Sequence, residues 1–176
     1  MAGLKVTTEP TIEPISIEEA KEHLRLDDDI DDIPVLTFIK AARLYVEKFT
    51  GRSLITRTVQ QFLDTSAATL DPLYEGMRTG VLARPYANYI ELAASPVISV
   101  TSVNYYNDSD TQSTWATSNY YVDNVSDLGR IYLRDGGTFP TDLRAANGLE
   151  INYTAGFGTA RSDIPSDLKL AMLQYM

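Results

Sequence analysis

The apolar residues of this chain change their spacing twice, and this change limits the folds it can adopt more than any other feature. Near both ends of the sequence they recur every three or four residues, which is typical of amphipathic helices. Between residues 54 and 160 they recur mainly every second residue, in short runs separated by turn-forming residues, which is typical of β-strands. The order predicts an α+β fold with an antiparallel β-sheet or sandwich region inserted into a helical unit.

Residues 1–53 are predicted to form an N-terminal helical hairpin. The first helix lies in PISIEEAKEHLRLD, where Ser16 and Glu19 have the spacing of a capping box. The residues on its apolar face are Ile17, Ala20 and Leu24.

The second helix of the hairpin is predicted in DIPVLTFIKAARLYVEKFTG. Asp32 is placed to cap its first turn, Pro34 fits within that turn, and Gly51 is placed to end the helix in a left-handed conformation. The 3–4 spacing predicts a buried face made of Leu36, Ile39, Ala42, Arg43, Val46 and Phe49.

Residues 54–160 are predicted to contain five or six short strands. The segments with strand character are SLITRTVQQFLD, YIEL, PVISVTSVNYY, NYYVD, GRIYLRD and GLEINYTAG. NDSDTQST is interpreted as a turn, and residues 64–88 are interpreted as a long loop. In PVISVTSVNYY, a bulge near Thr101 or Ser102 would point four residues inward: Ile98, Val100, Val103 and Tyr105. In GLEINYTAG, one face carries Leu149, Ile151 and Tyr153.

Residues 161–176 are predicted to form a C-terminal helix that begins near Pro165 or Ser166. Its apolar side carries Leu168, Ala171, Met172 and Tyr175. A lone amphipathic helix needs an apolar partner, so we expect this helix to pack on the N-terminal hairpin and complete the helical part.

Composition excludes several classes of protein. The net charge of −9, with basic residues scattered singly, argues against a protein that grips nucleic acid by its phosphates. The absence of cysteine removes disulfides, thiolate nucleophiles and cysteine-based zinc sites. The sequence contains no run of about 18 apolar residues, so it predicts no membrane span. Its first residues, MAGLKVTTEPTIEP, lack the pattern of a secretory signal.

Candidate chemical sites fail their motif tests. Asp27, Asp29 and Asp31 have the first spacings of a calcium loop, but Asp32 and Phe38 stand where its glycine and glutamate are needed. We therefore expect a solvated acidic turn, with a loose divalent site as the alternative. His23 is the only histidine and has no nucleophile motif with it, so we expect an exposed residue. A glycosidase-like carboxylate pair stays open, because none of the acidic residues is singled out.

The segment GFGTAR lies where a phosphate-binding loop would lie, between a strand and a helix. It matches neither the P-loop pattern nor G-x-G-x-x-G, so we interpret Gly156 and Gly158 as turn positions with unusual backbone angles. Two tyrosine pairs, Tyr105–Tyr106 and Tyr120–Tyr121, suggest a stacking platform. Adjacent strand residues point to opposite faces, so we expect one ring of each pair inward and one outward.

The chain resembles the head–tail connector, or adaptor, proteins of tailed bacteriophages and of phage-derived gene transfer agents. The resemblance is carried, in the family's order, by PISIEEAKEHLRLD, FIKAARLYVEKFTGRSLITRTVQQFLD, SPVISVTSVNYYND and LEINYTAGFGTARSDIPSDLKLAMLQY. These segments cover most of the chain, and none of them is a catalytic fingerprint.

The resemblance implies a non-enzymatic component of the virion neck. The failed motif tests predict in addition that the protein needs no cofactor or metal, and the composition predicts no membrane segment and fits synthesis in the bacterial cytoplasm. It implies a ring, usually of twelve copies, between the portal protein and a tail-side head-closure (stopper) protein. DNA would pass through this ring without sequence-specific binding, which suits an acidic subunit.

The resemblance also points to the C-terminal segment as the part that docks to the portal or to neighbouring subunits. The candidate interface residues are Arg161, Leu168, Leu170, Met172, Leu173 and Tyr175. Apolar residues lie on more than one side of this helix, which favours more than one packing partner. Two other functions stay open: a carbohydrate hydrolase that uses two acidic residues, and a β-rich binding module with a helical appendage.

Overall fold

A computed structural model describes residues 3–26, 32–64 and 89–176 of the chain. The chain divides into two compact units, each made of two segments. A β unit comprises Met1–Thr8 and Thr58–Ala155, and a helical unit comprises Glu9–Arg57 and Gly156–Met176. The predicted loop at 64–88, apart from Asp64, and the acidic run at 27–31 lie outside the described residues.

The helical unit contains three helices: α1 (Ile17–Leu24), α2 (Asp32–Thr50) and α3 (Ser166–Tyr175). At the start of α1, the Glu19 backbone N–H donates to Ser16 Oγ at 3.1 Å, and the Ser16 N–H donates to Glu19 Oε2 at 2.8 Å. This is the predicted capping box. Gly51 follows α2 with φ of 69°, the predicted left-handed residue. Asp32 is the first residue of α2 rather than a residue before it.

The three helices share one apolar core, so the predicted packing of the hairpin with the C-terminal helix is confirmed. Its buried members are Ile15, Ala20, Val35, Ile39, Ala42, Val46, Leu54, Ile55, Ile164 and Met172. The buried face of α2 was predicted incorrectly at two positions, because Leu36 is 43% exposed and Phe49 is 81% exposed. Val35 and Glu47 are buried instead.

The β unit contains two antiparallel sheets. The first has five strands in the order β1-β2-β8-β4-β5, and the second has three in the order β3-β7-β6. The first sheet comprises β1 (Gly3–Thr8), β2 (Arg57–Leu63), β4 (Val97–Tyr106), β5 (Gln112–Thr114) and β8 (Leu149–Ala155). The second comprises β3 (Tyr89–Glu91), β6 (Tyr120–Asp123) and β7 (Arg130–Leu133).

Strands β1 and β5 are absent from the sequence prediction, and both lie at the edges of the five-stranded sheet. Strand β5 has the sequence QST and carries no apolar residue, so it has no hydrophobic alternation to detect. It forms because Asn104, Tyr105 and Tyr106 of β4 supply its pairing partners. Edge strands depend on their neighbour rather than on their own burial.

The pairing of β4 with β8 shows the predicted bulge. The register shifts between Val100 and Ser102, so Thr101 is the extra residue. A second shift between Val97 and Ser99 was not predicted, and it leaves Ile98 44% exposed rather than inward. On β8 the predicted inward face is confirmed, since Leu149, Ile151 and Tyr153 are all buried.

Within the described ranges, no helix is both long enough and apolar enough to cross a bilayer.

Candidate interface at the C-terminal helix

The glycine loop before α3 is a turn that redirects the chain within the helical unit. Gly156 has φ of 144°, and a Cβ atom there would overlap the Thr56 backbone. Gly158 is required for a different reason than predicted: its φ is not in the left-handed region, but a Cβ would overlap the side chain of Asp163. Asp163 accepts a hydrogen bond from the Ala160 N–H at 2.9 Å. The Asp163 side chain therefore fills the interior of this loop.

The six predicted interface residues fall into two groups. Met172 is fully buried in the helical core, and Leu168 and Leu173 are partly buried against it. Leu170 and Tyr175 are each 52% exposed. Arg161 is exposed, and its Nε donates to the Glu13 carbonyl oxygen at 3.1 Å. Only Arg161, Leu170 and Tyr175 offer substantial surface to another molecule, while the other three hold α3 in place.

Tyr175 extends an aromatic surface that the sequence analysis did not identify. Its ring stacks on Tyr45 of α2, with centroids 4.0 Å apart and planes 10° from parallel. The Phe49 ring follows Tyr45 at 6.3 Å and 8°. The sequence prediction assigned Phe49 to the core. However, α2 carries apolar residues on several sides, and this pattern was a signal that α2, like α3, has more than one packing partner.

A buried ionic cluster fixes α2 to the chain segments on either side of the hairpin. Arg43 Nε donates to Glu13 at 2.8 Å, and Arg43 Nη1 donates to Glu47 at 3.2 Å. Glu47 also accepts from Arg57 Nη1 at 3.0 Å and from the Leu54 N–H at 2.9 Å. Burial alone lowers the pKa of Arg43, but its hydrogen bond to Glu13 and the nearby carboxylates outweigh burial and raise that pKa.

His23 is exposed, as predicted, and borders a shallow groove of about 300 Å³ on the helical unit. The lining residues are Ile15, Glu19, Glu22, His23, Lys169 and Leu173. This lining set contains no hydroxyl or thiol that His23 would activate, so the groove lacks the nucleophile of a triad. In the described parts of the chain, no group of three or more His, Cys, Asp or Glu residues is arranged to hold a metal ion.

The tyrosine pair in β6 points in two directions, as predicted. Tyr120 is 5% exposed and Tyr121 is 46% exposed. The outward ring stacks on Tyr132 at 5.4 Å, and Tyr132 lies 5.1 Å from Tyr89. These three tyrosines form one row across the outer face of the three-stranded sheet.

Comparison with known proteins identifies a family. The model of the family described as "Head completion protein" matches residues 13–175. No curated protein matches the chain by sequence.

Three solved structures of gene transfer agent (GTA) particles share the fold. A chain in the neck of an empty GTA particle, computed with C6 symmetry, is 22% identical, with 98% of this chain and 83% of that chain covered and a TM-score of 0.71. A chain in the virion of a native GTA particle is 23% identical, with 98% and 82% covered and a TM-score of 0.70. A chain in the neck of a native GTA particle, computed with C12 symmetry, is 22% identical, with 97% and 79% covered and a TM-score of 0.66.

The family match spans the helices and the described strands from β2 onward, and it agrees with the resemblance to head–tail connectors noted from the sequence segments. The α+β architecture and the connector resemblance are thereby confirmed. The two alternative functions receive no support from these matches. The chain belongs to the head completion protein family.

Proposed function

We propose that this chain is a structural subunit of a ring that joins head to tail in a tailed phage or a phage-like particle. The observation that carries this function is the family match over residues 13–175, which includes every buried residue of the helical core. In this role the chain contributes surfaces rather than reacting groups. We also propose that the chain is not an enzyme.

Two observations support the ring: the symmetry of the similar GTA necks and the net charge of this chain. Two of the similar chains come from GTA necks computed with C6 and C12 symmetry, and twelve copies per ring fit both symmetries. An acidic subunit of net charge −9 suits a channel through which DNA moves, because a wall rich in Lys and Arg would hold the phosphates. The ring would lie in the particle neck, between the portal protein and a tail-side head-closure (stopper) protein.

The exposed part of α3 is proposed as the surface that contacts the portal. Leu170 and Tyr175 present apolar area, and Arg161 at the start of this segment presents a charge. Met172, Leu168 and Leu173 support this surface from below, because they anchor α3 in the helical core. Removal of the whole helix would expose that core, so the surface is better tested by substitutions of exposed residues.

A double variant, Leu170→Ser with Tyr175→Ser, tests this surface in particle-producing cells. We expect the folded variant to be missing from portal-bearing particles, as measured by mass spectrometry of purified particles. Asp167→Ser with Gln174→Ser changes two exposed polar residues of the same helix and should be incorporated normally. Normal incorporation of the Leu170/Tyr175 variant would place the portal contact elsewhere.

A further inference from the structure

Helix α2 exposes an aromatic stripe made of Phe38, Tyr45 and Phe49. Their exposed fractions are 51%, 48% and 81%. The spacings of seven and four residues place the three side chains within about 40° of one another around the helix. The stripe lies along one edge of the buried face of α2, on the side where Tyr45 stacks on Tyr175.

The same helix exposes a second apolar stripe of different chemistry, made of Ile33, Leu36 and Leu44. Their exposed fractions are 78%, 43% and 47%. At about 100° per residue these side chains lie within about 80° of one another. They border the opposite edge of the buried face, roughly 150° from the aromatic stripe. Between the two stripes, on the solvent side, lie Thr37, Ala41 and Lys48, all exposed. The exposed Lys40 lies within the angular range of the aliphatic stripe, between Leu36 and Leu44 along the helix.

Six large apolar side chains exposed on one helix require an explanation. Large aromatic residues bury roughly 150–250 Å² each when covered, so the three half-exposed side chains of one stripe present on the order of 300 Å². The largest contiguous apolar patch on a typical monomer measures about 300–600 Å² and often marks an interaction site. A standard interface buries about 800 Å² on each partner. Each stripe is therefore large enough for the apolar centre of such an interface, and polar residues around it would supply the rest.

We infer that the occupant of each stripe is a second copy of this chain, with the aromatic stripe of one copy packed on the aliphatic stripe of the next. A two-fold dimer needs one self-complementary patch, whereas a closed ring needs two different patches that fit each other. Two unlike apolar stripes on opposite edges of one helix meet the second requirement. This inference rests on the proposed ring and names the surfaces by which its subunits touch.

Contact between two helices also requires that their side chains interdigitate, and side chains at helical spacing form the ridges and grooves by which helices pack. The Tyr45–Tyr175 stack holds the aromatic side in one orientation before a neighbour arrives. Preorganisation of this kind reduces the conformational entropy lost on binding.

Cysteine cross-linking tests the arrangement directly, because the natural chain contains no cysteine. The purified full-length variants Phe49→Cys and Leu44→Cys would be treated with a short bis-maleimide, separately and mixed, at millimolar protein concentration. We expect dimers from the mixture and only traces from either variant alone. The double variant Leu44→Cys with Phe49→Cys should give a ladder of dimers, trimers and larger species. Thr37→Cys mixed with Lys48→Cys, on the polar side of α2, is the matched control and should give no dimer above background.

Two outcomes would overturn the inference. Dimers of Phe49→Cys alone that equal those of the mixture would indicate a two-fold contact between aromatic stripes. A mixture that cross-links no more than the Thr37/Lys48 control would show that α2 does not join copies. The connector function is tested separately, because the wild-type chain should be found in particle necks whichever of these two cross-linking results is observed. A chain absent from particles that nevertheless forms the ladder would refute the connector function and leave the contact between copies intact.

Discussion

Glu47 is a buried carboxylate that pairs with two arginines of the helical unit. Its side chain is 4% exposed and pairs with Arg43 and Arg57, whose side chains are 2% and 9% exposed. Removing one member of a buried ionic cluster leaves the remaining charges without compensation, at a cost of about 3–5 kcal/mol. We expect Glu47→Gln to lower the free energy of unfolding by this amount in urea melts.

Asp110→Asn is the matched control for that substitution. Asp110 pairs with Arg144 at 3.0 Å, but its side chain is 77% exposed. An exposed ion pair contributes about 0–1 kcal/mol, and asparagine tolerates the positive φ of 58° at this position. Equal losses of stability in the two variants would contradict the assignment of Glu47 to a buried cluster.

Glu150 gives the β unit a pH dependence of defined sign. Burial raises the pKa of its carboxyl group, but hydrogen bonds from Asn152, Tyr106 and Asn104 outweigh burial and hold that pKa below its ordinary value. The stabilisation by the ionised group is therefore complete above the unfolded-state pKa of about 4.3 and is lost as the pH falls through the lower folded-state value.

We accordingly expect Glu150→Gln to destabilise the protein at pH 7 and to have a smaller effect at pH 3. Urea melts of both proteins at the two pH values measure this difference. A loss of stability that is the same at pH 3 and pH 7 would show that the charge of Glu150 does not contribute and that only its shape and its hydrogen bonds matter.

At the scale of secondary-structure elements, α3 has one buried and one exposed side. Met172 is fully buried and Leu170 is 52% exposed, although they are two residues apart on the same helix. A buried methionine replaced by alanine costs about 2–5 kcal/mol. We expect this loss for Met172→Ala and less than about 0.5 kcal/mol for Leu170→Ala, as for other exposed positions. If thermal or urea melts show a larger loss of stability for Leu170→Ala than for Met172→Ala, the assignment of the buried and exposed sides of α3 is wrong.

Elements specified by neighbouring residues were predictable from the sequence, and elements specified by distant partners were not. The capping box of Ser16 and Glu19 acts within a few residues, so it was identified from spacing alone. Strand β5 exists because β4 pairs with it, and its own residues give no apolar pattern. The same reason explains the missed strand β1, which pairs with β2 across about fifty intervening residues.

The candidate interface was only partly predictable for a related reason. A 3–4 spacing shows that a helix has an apolar face, but α2 carries apolar residues around much of its circumference, and spacing does not show which of them the chain's own core covers. The burial of Arg43 and Glu47 depends on Glu13 and Arg57, which lie in other segments. Leu36 and Phe49, which the spacing placed on the buried face, lie at the surface.

At the scale of the whole molecule, the two units have separate apolar cores, and the family match extends over both. The candidate surfaces of the helical unit are α3 and the two stripes of α2, and the β unit presents the tyrosine row formed by Tyr89, Tyr121 and Tyr132. These surfaces are consistent with a connector that acts by its position in the particle. Such a function is defined by where the chain lies in a particle.

Electron cryo-microscopy of particles from cells with and without this chain tests that position most directly. With the chain present, we expect a ring of subunits of this α+β fold between the portal and the tail. Without it, we expect portal-bearing heads that lack attached tails, and restoration of the wild-type chain should restore joined particles. Complete, tailed particles from cells that lack the chain, or a neck whose density does not fit this fold, would contradict the connector function.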